Sequence, residues 1–150
     1  MPRYAAPFTK TGADSVLQIV EVLSSATVQR TKWFQFGIKN TGTESADVTF
    51  SYVVRRVTGS ATGTSLTPNP MDPSDAACRG TAEHLITADA GSFAAGTELF
   101  RRPINNRATY DWYASEGREL VGAATASNGL SLGVASASTS TFAGTVCFEE

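Results

Sequence analysis

Apolar and polar residues alternate through the last third of this chain, and that period of two constrains the fold more than any other feature. The alternation is clearest in Thr109–Tyr113, Leu130–Val134 and Phe142–Phe148. Successive side chains of a β-strand point to opposite faces of the sheet, so this period predicts strands with one buried face. Turn sequences at Glu116-Gly117 and Asn128-Gly129 separate the segments, and the second is typical of a two-residue hairpin turn.

Three earlier segments also predict strands. Val16–Leu23 is apolar on both faces, which indicates a strand covered on both sides, with a neighbouring subunit as one possible cover. Residues 32–39 and 46–55 predict an antiparallel hairpin closed by a polar loop. In strict alternation, Phe34, Phe36 and Ile38 of the first arm share one face, and Trp33 lies on the opposite, outward face.

Other parts of the chain have a weaker pattern. Residues 1–14 contain two prolines and predict an extended N-terminal arm. Residues 58–96 predict an irregular insert, with one helical turn at Asp75–Arg79 and a short strand at Leu85–Thr87. Pro103 is expected to end a strand or to place it at a sheet edge. The remaining predicted strands cover residues 98–102, 108–114, 119–126, 130–137 and 142–149.

Together these elements predict one all-β domain over residues 15–150. About eight short strands with frequent turns favour an antiparallel two-sheet sandwich, jelly-roll-like in topology. An immunoglobulin-like sandwich is the competing architecture. It would require a central core Trp bracketed by a cysteine pair, and the positions of Cys78 and Cys147 do not provide that spacing.

Composition narrows the function classes. The 150 residues carry a formal net charge of −2. Because domains that bind nucleic acid are usually basic, we expect no nucleic-acid partner. No apolar run approaches the length of a membrane span or a signal sequence, which predicts assembly in the cytoplasm and no membrane partner. In that compartment Cys78 and Cys147 are expected to be free thiols. One histidine and two distant cysteines predict no metal site, and we expect no cofactor.

Two residue groups were considered for catalysis. His84 is the single histidine and has Glu83 and Asp89 nearby, but no G-x-S-x-G sequence accompanies it. We interpret it as a surface histidine. Acidic residues around one predicted turn could form a glycosidase pair, but solvated turn residues are the simpler interpretation; they are Asp111, Glu116 and Glu119. The sequence therefore predicts no catalytic residue and no enzyme.

The sequence contains more candidates for contact with a partner than candidates for catalysis. Arginines flank the corner at Pro103, and Arg and aromatic residues are enriched at protein interfaces. Trp33 and Tyr113 are predicted to point outward, and the N-terminal arm adds two aromatics. The predicted partner-contact residues are Tyr4, Phe8, Trp33, Arg101, Arg102, Arg107 and Tyr113.

The C-terminal third resembles a known group of proteins. The runs at 102–112, 117–121 and 124–130 look like small β-sandwich virion proteins of tailed bacteriophages, nearest in role to capsid decoration (cement) proteins. The Pro-rich stretch 68–73 fits the same group. The resemblance implies a jelly-roll-like subunit, a homotrimer, seated on the lattice of the major capsid protein. It supplies no site residue that can be matched to this chain.

The main hypothesis is therefore a non-enzymatic decoration protein on the capsid surface of a virion, which stabilises the capsid by contacts. The alternative is a glycan- or receptor-binding module of a phage tail or fibre, with its site on residues 58–75 and 84–96. A third hypothesis is a hydrolase that uses His84.

Overall fold

The structure is a computed structural model that describes residues 1–11, 15–25, 29–43, 47–136 and 138–150. These residues form strands and loops but no helix, and so no helix that could cross a membrane. The strands, numbered in chain order, are β1 (Arg3–Lys10), β2 (Gln18–Leu23), β3 (Lys32–Asn40), β4 (Thr49–Thr58), β5 (Thr62–Leu66), β6 (Asn69–Pro70), β7 (Thr81–Ala88), β8 (Glu98–Asn105), β9 (Thr109–Tyr113), β10 (Leu120–Val121), β11 (Asn128–Val134) and β12 (Phe142–Glu149).

Two six-stranded antiparallel sheets make an open sandwich, so the all-β two-sheet prediction is confirmed while the strand count rises from eight to twelve. Sheet 1 has the order β10-β3-β12-β1-β6, and β9 also pairs with β3. Sheet 2 has the order β5-β7-β2-β11-β4-β8. The apolar faces of the two sheets meet in one core, because alternate residues of each strand point inward.

The N-terminal segment is not an arm. Residues 3–10 form β1, which lies between β12 and β6 in sheet 1 and pairs with β12 along its whole length. Tyr4 and Phe8 are 1% and 2% exposed, so the prediction that they contact a partner is wrong. The reason is their spacing: they share the inward face of β1, where the sandwich core already covers them. Residues 12–14 of the predicted arm lie outside the described residues.

Strand pairing also differs from the sequence prediction. β3 and β4 do not form a hairpin, because β3 pairs with β9, β10 and β12 in sheet 1 while β4 pairs with β8 and β11 in sheet 2. The predicted irregular insert contains three strands. Of these, β5 and β7 extend sheet 2 beyond β2, and β6 extends sheet 1 beyond β1.

A β-bulge reverses the predicted direction of Trp33. The register pairs Trp33 with Phe148 but Gln35 with Cys147, which leaves Phe34 as an extra residue. One extra residue moves the side chain before it to the other face. Trp33 is therefore fully buried in the core, and the outward-facing Phe34 ring instead lies 5.1 Å from the guanidinium of Arg3.

The chain itself covers the outer face of sheet 2 at β2, so no neighbouring subunit is needed there. Phe93, in the loop between β7 and β8, packs on apolar outer residues of β2 and β4 and is fully buried. Nearby, the carboxylate of Glu21 accepts hydrogen bonds from the Ala61 amide at 2.8 Å and from Gln18 Nε2 at 3.0 Å. Burial is the main cause that raises the pKa of Glu21.

Local turn chemistry is confirmed in part. Gly117 has φ of +75°, as the Glu116-Gly117 turn predicts, and Arg118 N donates to the carbonyl of Ser115. Asn128-Gly129 is not a turn but the start of β11; the left-handed residue is Ser127, with φ of +61°. Residues 75–79 form no helical turn. The turn lies at residues 72–75 instead, where Asp75 N donates to the Asp72 carbonyl. The predicted strand 119–126 shrinks to β10.

Candidate partner-binding site

Partly buried hydrophobic side chains line one edge of the sandwich, where the edge strands β8 and β9 face each other. Among the residues that the structure describes, eight partly buried hydrophobic ones pack against the main core, and six of these belong to β8, β9 and β10. Partly exposed apolar side chains grouped on one surface are the kind of feature that marks interaction sites. We call this surface the β8–β9 seam; its members are Phe100, Arg102, Ile104, Tyr110 and Trp112.

Aromatic rings form the centre of the β8–β9 seam. Phe100 of sheet 2 lies 6.0 Å from both Tyr110 and Trp112 of sheet 1, measured between ring centroids. Behind them, the fully buried Phe36 meets Phe100 edge-on at 5.4 Å. Offset and edge-to-face pairs are the favoured aromatic geometries, so this cluster is a rigid apolar contact surface.

Arg102 places a positive charge inside the β8–β9 seam. In the register it pairs with the inward-facing Tyr52, between Phe100 and Ile104, yet it is exposed because β8 is an edge strand. Arg102 forms no ion pair with any residue that the structure describes. An arginine among aromatics is the side-chain combination that dominates protein interfaces.

The other two predicted arginines lie beside the seam and have intramolecular partners. Arg101 donates to Glu98 in two hydrogen bonds of 2.7 and 2.8 Å, and Arg107 lies 3.1 Å from the Asp47 carboxylate. The hydrogen bonds from Arg101 are the main cause that lowers the pKa of Glu98. Both pairs are exposed, so each stabilises the fold weakly and leaves the arginine accessible.

β9 presents a different chemistry on its outward face. Tyr113 is 65% exposed, which confirms its predicted outward direction, and Asp111 is exposed on the same face. Asp111 pairs with Gly37, and both line an open groove on sheet 1; Tyr113 pairs with Gln35, which belongs to the same lining. Of the predicted contact residues, four are therefore exposed near β8 and β9: Arg101, Arg102, Arg107 and Tyr113.

Two of the residues considered for catalysis, His84 and Glu119, have structural partners. His84 Nδ1 accepts a hydrogen bond from the Thr9 amide at 3.2 Å, which ties β7 to β1. Glu119 accepts from the Gly117 amide at 3.2 Å and supports the turn there. The described residues contain no group of three or more His, Cys, Asp or Glu side chains placed to hold a metal ion. Both cysteines are free thiols, as predicted.

The predicted alternation of Thr109–Tyr113 places Tyr110 and Trp112 on the face opposite Tyr113, but sequence reasoning did not find their position at the sandwich edge, and it missed Phe100 altogether. The available signal was Pro103, whose strand is indeed at a sheet edge.

Comparison of the chain with protein-family models, with curated proteins and with solved structures finds no match.

Proposed function

We propose that this chain is a non-enzymatic structural protein of a bacteriophage virion, a decoration protein on the capsid surface that binds and stabilises the lattice of the major capsid protein. It is assembled in the host cytoplasm and acts as a homotrimer. The observation that best supports this proposal is the β8–β9 seam. Aromatic rings of both sheets are partly exposed there, and Arg102 is exposed beside them.

The strand order supports a jelly-roll architecture for this role. With β5, β6 and β7 treated as an insertion and the two-residue β10 set aside, the sheets reduce to β1-β12-β3-β9 and β2-β11-β4-β8. Two four-stranded sheets joined by Greek-key connections are the jelly-roll arrangement, which recurs in viral capsid and lectin domains. Such a subunit offers rigid faces and edges for assembly rather than a deep cleft.

Burial of the β8–β9 seam supplies the binding energy. Apolar surface removed from water contributes about 25 cal/mol per Å². Each contact can be moderate, because many copies on one lattice act together and the combined attachment is far stronger than a single one. Arg102 adds selectivity, since an acidic group on the capsid protein would pair with it in a partly dehydrated site.

Co-sedimentation with capsids tests the proposal. Particles of the encoding phage that lack this protein are mixed with purified chain and pelleted. Wild type is expected to pellet with the particles, and Arg102→Glu to bind at least tenfold more weakly. Arg79→Glu makes the same charge change at another exposed position, away from the seam, and is expected to bind like wild type.

A capsid preparation that never retains the wild-type chain would contradict the proposal. Light scattering provides a second measurement: the expected mass in solution is three times the 15.8 kDa of the chain. If the chain is a monomer in solution but still binds capsids, the proposed capsid role stands and the proposed trimer is wrong.

A further inference from the structure

An open groove of about 460 Å³ crosses the outer face of sheet 1, over β9, β3 and β12. Its volume lies within the roughly 300–1,000 Å³ range of small-molecule sites. The lining combines small residues, with Gly37 and Gly144 among them, and polar side chains from β3, β9 and β12. This groove is separate from the β8–β9 seam, because the two surfaces use opposite faces of β9.

The absence of a side chain at Gly37 makes room for the side chain of Asp111. A β-carbon at Gly37 would clash with Oδ1 of Asp111, whose carboxylate leans over it from the neighbouring strand. Asp111 is exposed and forms no ion pair with a described residue. The carboxylate therefore remains an available hydrogen-bond acceptor beside a flat floor.

Donors and hydroxyls complete the polar lining. Gln35 and Lys39 project from β3 on the same face as Gly37, and the lining also includes Thr109 and Thr145. Among the described residues Lys39 has no salt-bridge partner. A mixture of one carboxylate, one ammonium, an amide and hydroxyls suits a neutral ligand rich in hydroxyl groups. It disfavours a phosphate, which Asp111 would repel, and a purely apolar ligand, which would leave these groups unpaired.

Tyr113 adds an aromatic platform next to the groove. Its side chain is 65% exposed and pairs directly with Gln35, so ring and amide stand side by side on one face. The negative face of an aromatic ring attracts the weakly positive C–H groups on one face of a pyranose. An exposed ring flanked by an amide and a carboxylate is the side-chain set that such a sugar requires.

We propose that the groove over Gly37 binds a pyranose ring of a neutral glycan, stacked on Tyr113 and hydrogen-bonded to Asp111 and Gln35. This goes beyond capsid binding and places the site away from residues 58–75 and 84–96. Repeated copies on a particle would convert weak single sites into firm attachment to a carbohydrate-bearing surface.

Amide NMR titration of the full chain tests the site. The probes are the methyl glycosides of glucose, galactose, mannose and N-acetylglucosamine, taken to concentrations well above a dissociation constant on the order of a millimolar. At least one is expected to produce saturating shifts at Gly37, Asp111 and Thr145. No saturating shift with any of the four, or saturation confined to another surface, would overturn the proposal.

Three variants separate the site from general effects. Tyr113→Ala is expected to weaken binding about tenfold, as loss of one stacking platform does for bases. Gly37→Ala, which displaces the Asp111 carboxylate, is also expected to weaken binding. Met71→Ala removes another exposed apolar side chain outside the groove and should bind like wild type. Unchanged binding by Tyr113→Ala, or a change in its oligomeric mass, would identify this face as something other than a sugar site.

Discussion

The ring of Phe36 stacks on the ring of Trp112, with centroids 5.2 Å apart and planes inclined by 27°. Phe36 belongs to the central strand β3 and is fully buried, whereas Trp112 belongs to the edge strand β9 and is partly exposed. This stack connects the core of the sandwich to the β8–β9 seam. A partner that covers Trp112 would therefore extend the core rather than rest on a polar surface.

Removal of this ring should weaken the fold measurably. We expect Trp112→Ala to lower the free energy of unfolding by about 1–3 kcal/mol, because the stack and part of the ring's burial are lost. Tyr113→Ala, at the next position on the opposite face, should change it by less than about 0.5 kcal/mol. Urea unfolding followed by circular dichroism measures both. Equal losses in the two variants would show that β9 does not alternate as described.

The β-bulge at Phe34 leads to a second prediction. Strict alternation would make Phe34 the core residue, but the structure buries Trp33 completely. We expect Trp33→Ala to cost about 3–5 kcal/mol and Phe34→Ala clearly less, since Phe34 loses only a partly exposed packing site. Chemical denaturation of the two variants gives the ranking. The reverse order would mean that β3 has no bulge.

A buried lysine makes stability depend on pH. Lys10 is 1% exposed, its Nζ donates to the Val16 carbonyl, and burial is the main cause that lowers the pKa of Lys10 to about 8. Between pH 8 and the usual value of 10.5, the unfolded chain holds a proton that the folded chain has released. The contribution of Lys10 to stability therefore rises with pH across this window, by at most about 1.4 kcal/mol per pH unit.

Comparison of variants isolates this effect from other groups that titrate at alkaline pH. In Lys10→Met, the rise in stability between about pH 8 and 10.5 should be lost. Lys39→Met, at an exposed position, should keep the wild-type dependence of stability on pH. Thermal unfolding at several pH values provides the data. Parallel profiles for Lys10→Met and wild type would contradict a lowered pKa at Lys10.

Cys78 is expected to react slowly with alkylating reagents. Burial, followed by the nearby negative charge of Glu150, raises the pKa of the Cys78 thiol to about 12, and Sγ lies 3.6 Å from Oε2 of Glu150. Since the thiolate is the reactive form, iodoacetamide at pH 8 should modify Cys78 at least tenfold more slowly than free cysteine. Glu150→Gln should accelerate the reaction by lowering that pKa. Mass spectrometry follows the modified peptide, and a rate equal to that of free cysteine would be inconsistent with this environment.

Local patterns predicted much of each strand but little of how the strands pair. The inward positions Phe142, Val146 and Phe148 and the outward Tyr113 follow from alternation, which each strand carries in its own residues. The predicted hairpin between β3 and β4 failed because pairing depends on which sheet each strand joins, and β3 joins β12 from the far end of the chain. Of the candidate site, the arginines and Tyr113 were predictable as exposed, whereas the aromatic cluster around Phe100 was not.

The residues alone were enough to determine an all-β chain with two thiols and most of the buried faces, because side-chain periodicity and turn chemistry act over a few residues. Only the tertiary structure decided that residues 3–10 form an inner strand, that Trp33 turns inward and that Gly37 lies beneath Asp111. Those outcomes depend on hydrogen-bond registers between distant strands. A single extra residue, as at Phe34, changes which face a side chain occupies, and only the packed sandwich selects among such registers.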